Sequence, residues 1–110
     1  MRRGSIVWVE FPKGEGHAQA GRRPAVVLQD EALNLSTVLL APLSTQVAAL
    51  RFPCTVLVEP DATNRLRLPS VALVFQIRAL DRRFLGTILG IMSEEKLSEL
   101  LTALDELTGR

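Results

Sequence analysis

The chain has 110 residues, which suits one small domain over residues 1–110, and its 47% hydrophobic fraction excludes a disordered protein. With one cysteine and one histidine it forms no internal disulfide and lacks the ligands of a typical zinc site, so we expect neither metal nor cofactor. No signal peptide and no run of about 20 apolar residues is present. We therefore expect a cytoplasmic protein that does not enter a membrane.

The net charge of +1 points to no particular partner, but the charge is unevenly distributed. Residues 1–90 contain 11 basic and 7 acidic residues, a net +4, whereas residues 91–110 contain 2 basic and 5 acidic residues, a net −3. Eleven of the 13 basic residues are arginine, which suits bidentate phosphate contacts better than lysine does. A GC-rich genome would produce the same bias.

Alternating or β-branched apolar residues predict about six short strands. Taken in chain order, the predicted strands cover residues 5–11, 25–29, 37–41, 52–59, 70–76 and 87–91. Strands and helices do not alternate, which disfavours a parallel sheet. The pattern predicts a mainly β fold, a small curled sheet or barrel.

The last twenty residues change to a helical period, with leucines on one face at positions 97, 100, 101, 104 and 107. Ser93 is a suitable N-cap and Gly109 a suitable stop. The sequence therefore predicts an amphipathic C-terminal helix. Its leucine face could pack on the core or, in part, on a second subunit.

A glycine-punctuated segment between the first two strands ends in Arg22-Arg23-Pro24. A residue before proline is held in extended backbone, which fixes the direction of the Arg23 side chain. Arginine keeps its proton at ordinary pH, so its natural catalytic role is to hold charge on a phosphate. From this motif alone, a solvated loop arginine is the competing interpretation.

Polar residues also follow the third and fifth predicted strands. The hydroxyls of Ser44 and Thr45 could donate to a phosphate or only shape a turn. Gln76 could bond a base and Arg78 a phosphate, or they could be a sheet-edge amide and a surface charge.

Two residues near the first loop are further candidates. His17 has a pKa range that suits acid–base work, although a solvated histidine would look the same. Phe11 opens the loop, so we expect its ring to be exposed and available to stack on a base.

Together these segments resemble the MazF/PemK/Kid family of toxin–antitoxin ribonucleases. The resemblance covers nearly the whole chain and rests on residues 4–11, 16–28, 41–46 and 70–81 with the amphipathic tail. It implies an SH3-like barrel with a C-terminal helix, working as a homodimer. It also implies a cognate MazE-like antitoxin whose acidic, initially disordered segment blocks the RNA groove.

The activity that the resemblance implies is metal-independent cleavage of single-stranded RNA, such as mRNA, at short sequences. The ribose 2′-hydroxyl attacks its own phosphate and leaves a 2′,3′-cyclic phosphate and a 5′-hydroxyl end. The family's essential arginine falls on Arg23 and its essential hydroxyl on Ser44. The expected RNA-binding residues are Phe11, His17, Gln19, Arg22, Thr45, Gln76 and Arg78.

The chain departs from the family pattern at two positions. Many relatives have a glutamate where this chain has Ala18, which puts a base role for that residue in doubt; His17 is a candidate replacement. Ser44 stands where threonine is commoner, which keeps the hydroxyl and loses a methyl group.

Two other functions remain open on the same barrel. One is a protein-binding toxin that inhibits DNA gyrase, as CcdB does. The other is a non-catalytic adaptor, which would leave the combination of Arg23 and Ser44 unexplained.

Overall fold

The computed structural model describes residues 1–12 and 21–110 of the chain. In these residues it contains seven strands, one α-helix and three short 3-10 helices. The strands are β1 (Ser5–Phe11), β2 (Gly21–Val27), β3 (Thr37–Ser44), β4 (Thr55–Val58), β5 (Ser70–Leu73), β6 (Arg78–Asp81) and β7 (Leu85–Ile91). The α-helix is α1 (Glu94–Thr108), and the 3-10 helices are Val47–Arg51, Val74–Gln76 and Arg82–Phe84.

The strands form one antiparallel sheet in the order β4-β5-β3-β2-β1-β7, with β6 also paired to β3. One edge of β3 pairs with β2, and the other pairs first with β6 and then with β5. The prediction of a mainly β fold with a C-terminal helix is confirmed. The additional strand is β6, which the sequence prediction treated as a polar segment.

Strand β2 begins at Gly21, four residues earlier than predicted. Gly21 and the two arginines pair with the end of β1, where Arg22 lies opposite Glu10 and Arg23 opposite Val9. Pairing with β1 thus overrides the weak strand propensity of this segment. The ladder with β3 starts only at Ala25, after the proline that has no N–H to donate.

Two other strands are shorter than predicted. The fourth starts at Thr55 because Cys54 has a φ of 56°, which does not fit a strand. The fifth ends at Leu73, and the chain then turns through the 3-10 helix Val74–Gln76.

Side chains of β1, β2 and β3 alternate between two buried layers, so both faces of the central sheet are covered. The first face, here the helix side, packs a core with α1 that includes Ile6, Val26, Ala41, Leu43, Leu100 and Ala103. The opposite face, here the Arg23 side, contains Val7, Val9, Phe11, Ala25, Val27, Val38, Leu40 and Leu80.

Helix α1 has both predicted ends. The Ser93 Oγ accepts the Lys96 N–H at 3.2 Å, and Gly109 ends the helix in a left-handed conformation with a φ of 84°. Leu100 and Ala103 are buried against the sheet, whereas Leu107 is 39% exposed. In the described part of the chain, no helix is long and apolar enough to cross a membrane.

The loop between β4 and β5 is organised around one buried side chain. Asn64 is 1% exposed; its Oδ1 accepts the N–H groups of Asp61 and Leu66, and its Nδ2 donates to the Glu59 carbonyl. The loop is also bonded to β7, because Ile91 N–H donates to the Thr63 carbonyl at 2.9 Å. These bonds give the loop a defined shape against the sheet.

Candidate functional site

Arg23 lies in the β1–β2 ladder rather than in a loop. Its backbone is held opposite Val9, and by the alternation of β2 its side chain belongs to the Arg23 side. The Nε atom is buried and has no hydrogen-bond partner among the residues that the structure describes. A buried, unpaired guanidinium N–H is costly, and an anion would satisfy it.

The strand register brings Ser44 level with Arg23. The β2–β3 ladder ends with Ala25 paired to Pro42, and continuing this register by two residues relates Arg23 to Ser44, with both side chains on the same side of the sheet. Ser44 is 4% exposed, and its Oγ accepts the Gln46 N–H at 3.1 Å. The hydroxyl therefore shapes the turn, as one interpretation predicted, and its hydrogen is still left to donate.

Arg78 lies on the same side of the sheet at the start of β6, and Gln76 ends the 3-10 helix that precedes this strand. Arg78 pairs with Leu40 in the sheet, and its guanidinium carbon lies 4.9 Å from the centre of the Phe11 ring. The Oε1 of Gln76 is buried, and the described residues supply no hydrogen-bond donor to it. The structure thus leaves one buried acceptor, Gln76 Oε1, and one buried donor, Arg23 Nε, without a described partner.

The expectation that Phe11 is exposed is wrong. Its side chain is 2% exposed, because the ring belongs to the apolar cluster of the Arg23 side, together with Val9. Arg78 covers the ring, so Phe11 supports an arginine instead of offering a free stacking surface.

The alternation of the strands separates the predicted site residues into two groups. Arg22 immediately precedes Arg23, and Thr45 immediately follows Ser44. Because successive side chains of a strand point to opposite faces, Arg22 and Thr45 belong to the helix side. The Arg22 guanidinium carbon lies 4.5 Å from the Trp8 ring centre. Thr45 lines a cavity of about 480 Å³ together with Trp8 and Pro24.

Two predicted residues, His17 and Gln19, lie outside the described residues, as does Ala18. Within residues 1–12 and 21–110, the His, Cys, Asp and Glu side chains form no group of three that could hold a metal ion. Sequence reasoning also missed Arg65 and Arg67, which line the same cavity as Thr45. The only sequence signal for them was the Arg-Leu-Arg-Leu alternation in a polar loop.

The Arg23 side is suited to bind a tetrahedral anion. A guanidinium that keeps its proton and a neighbouring hydroxyl donor are both fixed by strand backbone, so little reorganisation is needed when charge develops on a ligand.

A sequence model of the family described as "PemK-like, MazF-like toxin of type II toxin-antitoxin system" matches residues 2–108. The chain is 32% identical over 107 residues to the Endoribonuclease MazF of Staphylococcus saprophyticus, and this alignment covers 96% of this chain and 88% of that protein. It is 33% identical to the Endoribonuclease MazF of Staphylococcus epidermidis with the same coverage.

Solved structures give the same result. MazF (Form-I) from Deinococcus radiodurans superposes with a TM-score of 0.84 at 29% identity, covering 100% of this chain and 97% of that one. The MazE-MazF (Form-II) structure from the same organism has a TM-score of 0.75 at 29% identity, with coverage of 99% and 96%.

Proposed function

The chain belongs to the family of PemK-like, MazF-like toxins of type II toxin–antitoxin systems, and we propose that it is an endoribonuclease acting on single-stranded RNA. The two staphylococcal relatives are named endoribonucleases. The observation that carries the proposal is the buried, unpaired Nε of Arg23 in register with the Ser44 hydroxyl.

The proposed reaction is an internal transesterification. The ribose 2′-oxygen forms a bond to the adjacent phosphorus, and the bond from phosphorus to the 5′-oxygen breaks. The proton of the 2′-hydroxyl leaves as the nucleophile attacks, and a proton is added to the departing 5′-oxygen. The products are a 2′,3′-cyclic phosphate and a 5′-hydroxyl end.

We assign to Arg23 the role of stabilising the negative charge of the transition state. Negative charge grows on the non-bridging oxygens as the pentavalent phosphorus forms, and the guanidinium N–H groups are already fixed to receive it. The Ser44 hydroxyl would donate a second hydrogen bond to the same phosphate. Because Ser44 accepts the Gln46 N–H, its O–H bond is polarised toward the ligand.

Arg78 and Gln76 would position the RNA around that phosphate. Arg78 carries a charge held over the Phe11 ring, which suits a neighbouring phosphate. The buried Oε1 of Gln76 would accept a hydrogen bond from a base or ribose donor. Contacts of Arg22, Thr45, His17 and Gln19 with RNA remain predictions, as does a proton-transfer role for His17.

We also propose two protein partners. One is a cognate antitoxin, in line with the MazE-MazF structures of the Deinococcus radiodurans relative. The other is a second copy of the chain, forming a homodimer. Cytoplasmic localisation is part of the same proposal, since RNA is the substrate.

The test uses purified wild-type protein and the Arg23→Ala variant on a mixed RNA pool in the presence of a metal chelator. We expect the wild type to cleave and the variant to lose about 10²–10³ in rate, as when a single transition-state donor is removed. Arg2→Ala is the matched control, because Arg2 is exposed and distant in sequence from the site.

The same preparations are assayed for inhibition of DNA gyrase. Gyrase inhibition without RNA cleavage would overturn the proposal in favour of a protein-binding toxin. Absence of both activities, with no toxicity on induced expression, would favour an adaptor. Cleavage by Arg23→Ala at the wild-type rate would remove Arg23 from the mechanism.

A further inference from the structure

The backbone N–H of Gln46 contacts the side chain that the proposed reaction uses as a hydroxyl donor. It donates to the Ser44 Oγ at 3.1 Å, in the turn that follows β3. A serine side chain that accepts the N–H two residues later closes a turn in place of a backbone carbonyl. Because a serine oxygen accepts through a lone pair and donates through its hydrogen, this bond fixes the oxygen and leaves the hydrogen for a ligand.

Gln46 is itself held in place by the 3-10 helix that follows it. The residue is the N-cap of the helix Val47–Arg51, with extended backbone at a φ of −79° and a ψ of 92°. Its carbonyl oxygen accepts the Ala49 N–H at 2.9 Å, and the Phe52 N–H donates to the Ala49 carbonyl at 3.0 Å. The end of the helix contacts the next segment, since the ring centres of Phe52 and Phe75 lie 5.5 Å apart. The N–H that reaches Ser44 therefore belongs to a fixed piece of backbone.

A serine at position 44 depends on such a bond more than a threonine would. Serine has one heavy atom on its Cβ, so three staggered rotamers are open to the hydroxyl, whereas the second heavy atom of threonine restricts the choice. Ser44 is 4% exposed and pairs with Val71 at the end of β3, so bulk water has little access to its hydroxyl. The Gln46 N–H is thus the contact that selects among the three rotamers.

We propose that Gln46 is a positioning residue, whose backbone N–H holds Ser44 in the rotamer that presents its hydrogen to the scissile phosphate. This inference rests on the proposed function, because Gln46 acts through the Ser44 hydroxyl. The Gln46 side chain is exposed and makes no capping bond to the helix, so the backbone group is what matters at this position.

The positioning acts on the transition state more than on RNA binding. Negative charge on the phosphate grows as the pentavalent phosphorus forms, and a donor that is already aligned stabilises this charge without reorganising. Loss of the alignment therefore lowers the cleavage rate at saturating protein, while other contacts keep most of the RNA affinity. A bond that served only the turn would change stability and leave this rate as it is.

The test replaces the amide bond between Thr45 and Gln46 by an ester, with the α-hydroxy analogue of glutamine at position 46. The exchange removes the N–H and keeps the side chain. The matched control is the same exchange at Ala49, because it removes the 2.9 Å bond to the Gln46 carbonyl and does not involve Ser44. The exchange at position 46 is also made in the Ser44→Thr variant.

Single-turnover cleavage of one RNA oligonucleotide and urea unfolding are measured on each protein. We expect the ester at position 46 to slow cleavage about threefold to tenfold, from the opening of three rotamers and the loss of one hydrogen bond. The ester at position 49 should cleave at the wild-type rate although it loses a similar amount of stability. In the Ser44→Thr variant, the ester at position 46 should change the rate by less than about twofold, because the methyl group restricts the rotamer.

The rotamer of residue 44 is measured on the same proteins without RNA, from the three-bond couplings between its Hα and Hβ atoms. We expect one rotamer in the wild type and in the ester at position 49, and averaged couplings in the ester at position 46. Ser44→Thr with the ester at position 46 should again show one rotamer. A wild type that cleaves no RNA would contradict the proposed function, and the couplings would still decide whether Gln46 fixes the hydroxyl.

Three results would overturn the proposal. Equal cleavage rates for the esters at positions 46 and 49 would show that the Gln46 N–H serves the turn alone. Averaged couplings in the wild type would show that this N–H does not select a rotamer of Ser44. An equal loss of rate in the serine and threonine chains would assign the effect to the turn as a whole instead of the serine rotamer.

Discussion

Arg22 and Arg23 are neighbours in sequence but point to opposite sides of β2. Arg22 lies over Trp8, while Arg23 stands beside Val9 with its Nε buried and unpaired in the described structure. The same alternation separates Thr45 from Ser44. One residue of each pair therefore faces the proposed phosphate site, and the other lies on the helix side of the sheet.

Two substitutions at Ser44 test whether its hydroxyl acts on the phosphate. Ser44→Ala removes the donor, and we expect a loss of about 10²-fold or more in the RNA cleavage rate. Ser44→Thr keeps the hydroxyl, so we expect activity within a few-fold of wild type, by order of magnitude from the retained donor. Rates on one RNA oligonucleotide, with urea unfolding of each variant, provide the measurement.

The unfolding data separate catalysis from folding. Ser44→Ala also leaves the Gln46 N–H without its partner, which costs about 1 kcal/mol of stability. If Ser44→Ala cleaved as fast as Ser44→Thr, the hydroxyl would serve the turn alone.

Local sequence made Arg23 and Ser44 candidates, because a proline follows one and an apolar strand precedes the other; the family resemblance implied their catalytic roles, which remain predictions. The burial of Phe11 could not be predicted, because it depends on residues of other strands and on Arg78, which is distant in sequence. The grouping of Arg65 and Arg67 with Trp8 depends on a loop shape set by Asn64, which no local pattern reveals.

At the level of elements, β7 packs so closely on the β4–β5 loop that only glycine fits at position 90. A Cβ at Gly90 would lie 2.5 Å from the carbonyl oxygens of both Asn64 and Thr63. These are backbone atoms held by the Asn64 hydrogen bonds, so they cannot move aside cheaply.

We therefore expect Gly90→Ala to destabilise the protein by about 1–3 kcal/mol, the usual cost of forced overpacking. Gly86→Ala is the matched control on the same strand, because its Cβ would meet the nearest atom, the Trp8 carbonyl oxygen, at an ordinary 3.5 Å. Equal urea midpoints for the two variants would contradict the close packing of the β4–β5 loop against Gly90.

The same loop has a pH dependence. The Asn64 N–H donates to the Asp61 carboxylate and, with further bonds from Thr63, lowers the pKa of Asp61 below its ordinary value of 3.8. A lowered folded-state pKa gives stability that is present above the unfolded pKa and is lost as pH falls through the folded one.

Acid unfolding should therefore begin below about pH 4 and include a contribution from Asp61. Asp61→Asn keeps an acceptor oxygen but has no proton to gain there. We expect the variant to show a smaller loss of stability between neutral and acidic pH, measured as urea midpoints across the series. If the stability of Asp61→Asn changed with pH as steeply as that of the wild type, Asp61 would not contribute to acid unfolding.

The sequence predicted most elements because their apolar patterns are local. Strand β1 and both ends of helix α1 agree with the structure, since strand alternation, the Ser93 cap and Gly109 are sufficient to define them. The start of β2 and the existence of β6 could not be predicted, because both depend on partner strands rather than on their own residues.

For the whole molecule, the homodimer remains a prediction. The 3-10 helix after β3 leaves Val47, Leu50 and Phe52 between 38% and 48% exposed, beside β4 at the end of the sheet. We expect light scattering to give twice the chain mass of 12.1 kDa at micromolar concentration.

Leu50→Glu/Phe52→Glu should shift the protein toward the monomer, because two charges would be buried in the interface. Leu33→Glu/Leu35→Glu changes two similarly exposed leucines elsewhere and should leave the mass unchanged. A monomeric wild type would contradict the dimer, and equal masses for the two variants would place its interface elsewhere.

The central claim for the whole molecule is that it cleaves RNA at Arg23 and Ser44, on one side of the sheet. The most direct test of the central claim is to map the ends of RNA cleaved in a metal chelator by sequencing. The account predicts 5′-hydroxyl and 2′,3′-cyclic phosphate ends at a short recurring motif, formed about 10²–10³ times more slowly by Arg23→Ala and at the wild-type rate by Arg2→Ala. Cleavage that leaves 5′-phosphate ends, or that persists unchanged in Arg23→Ala, would contradict it.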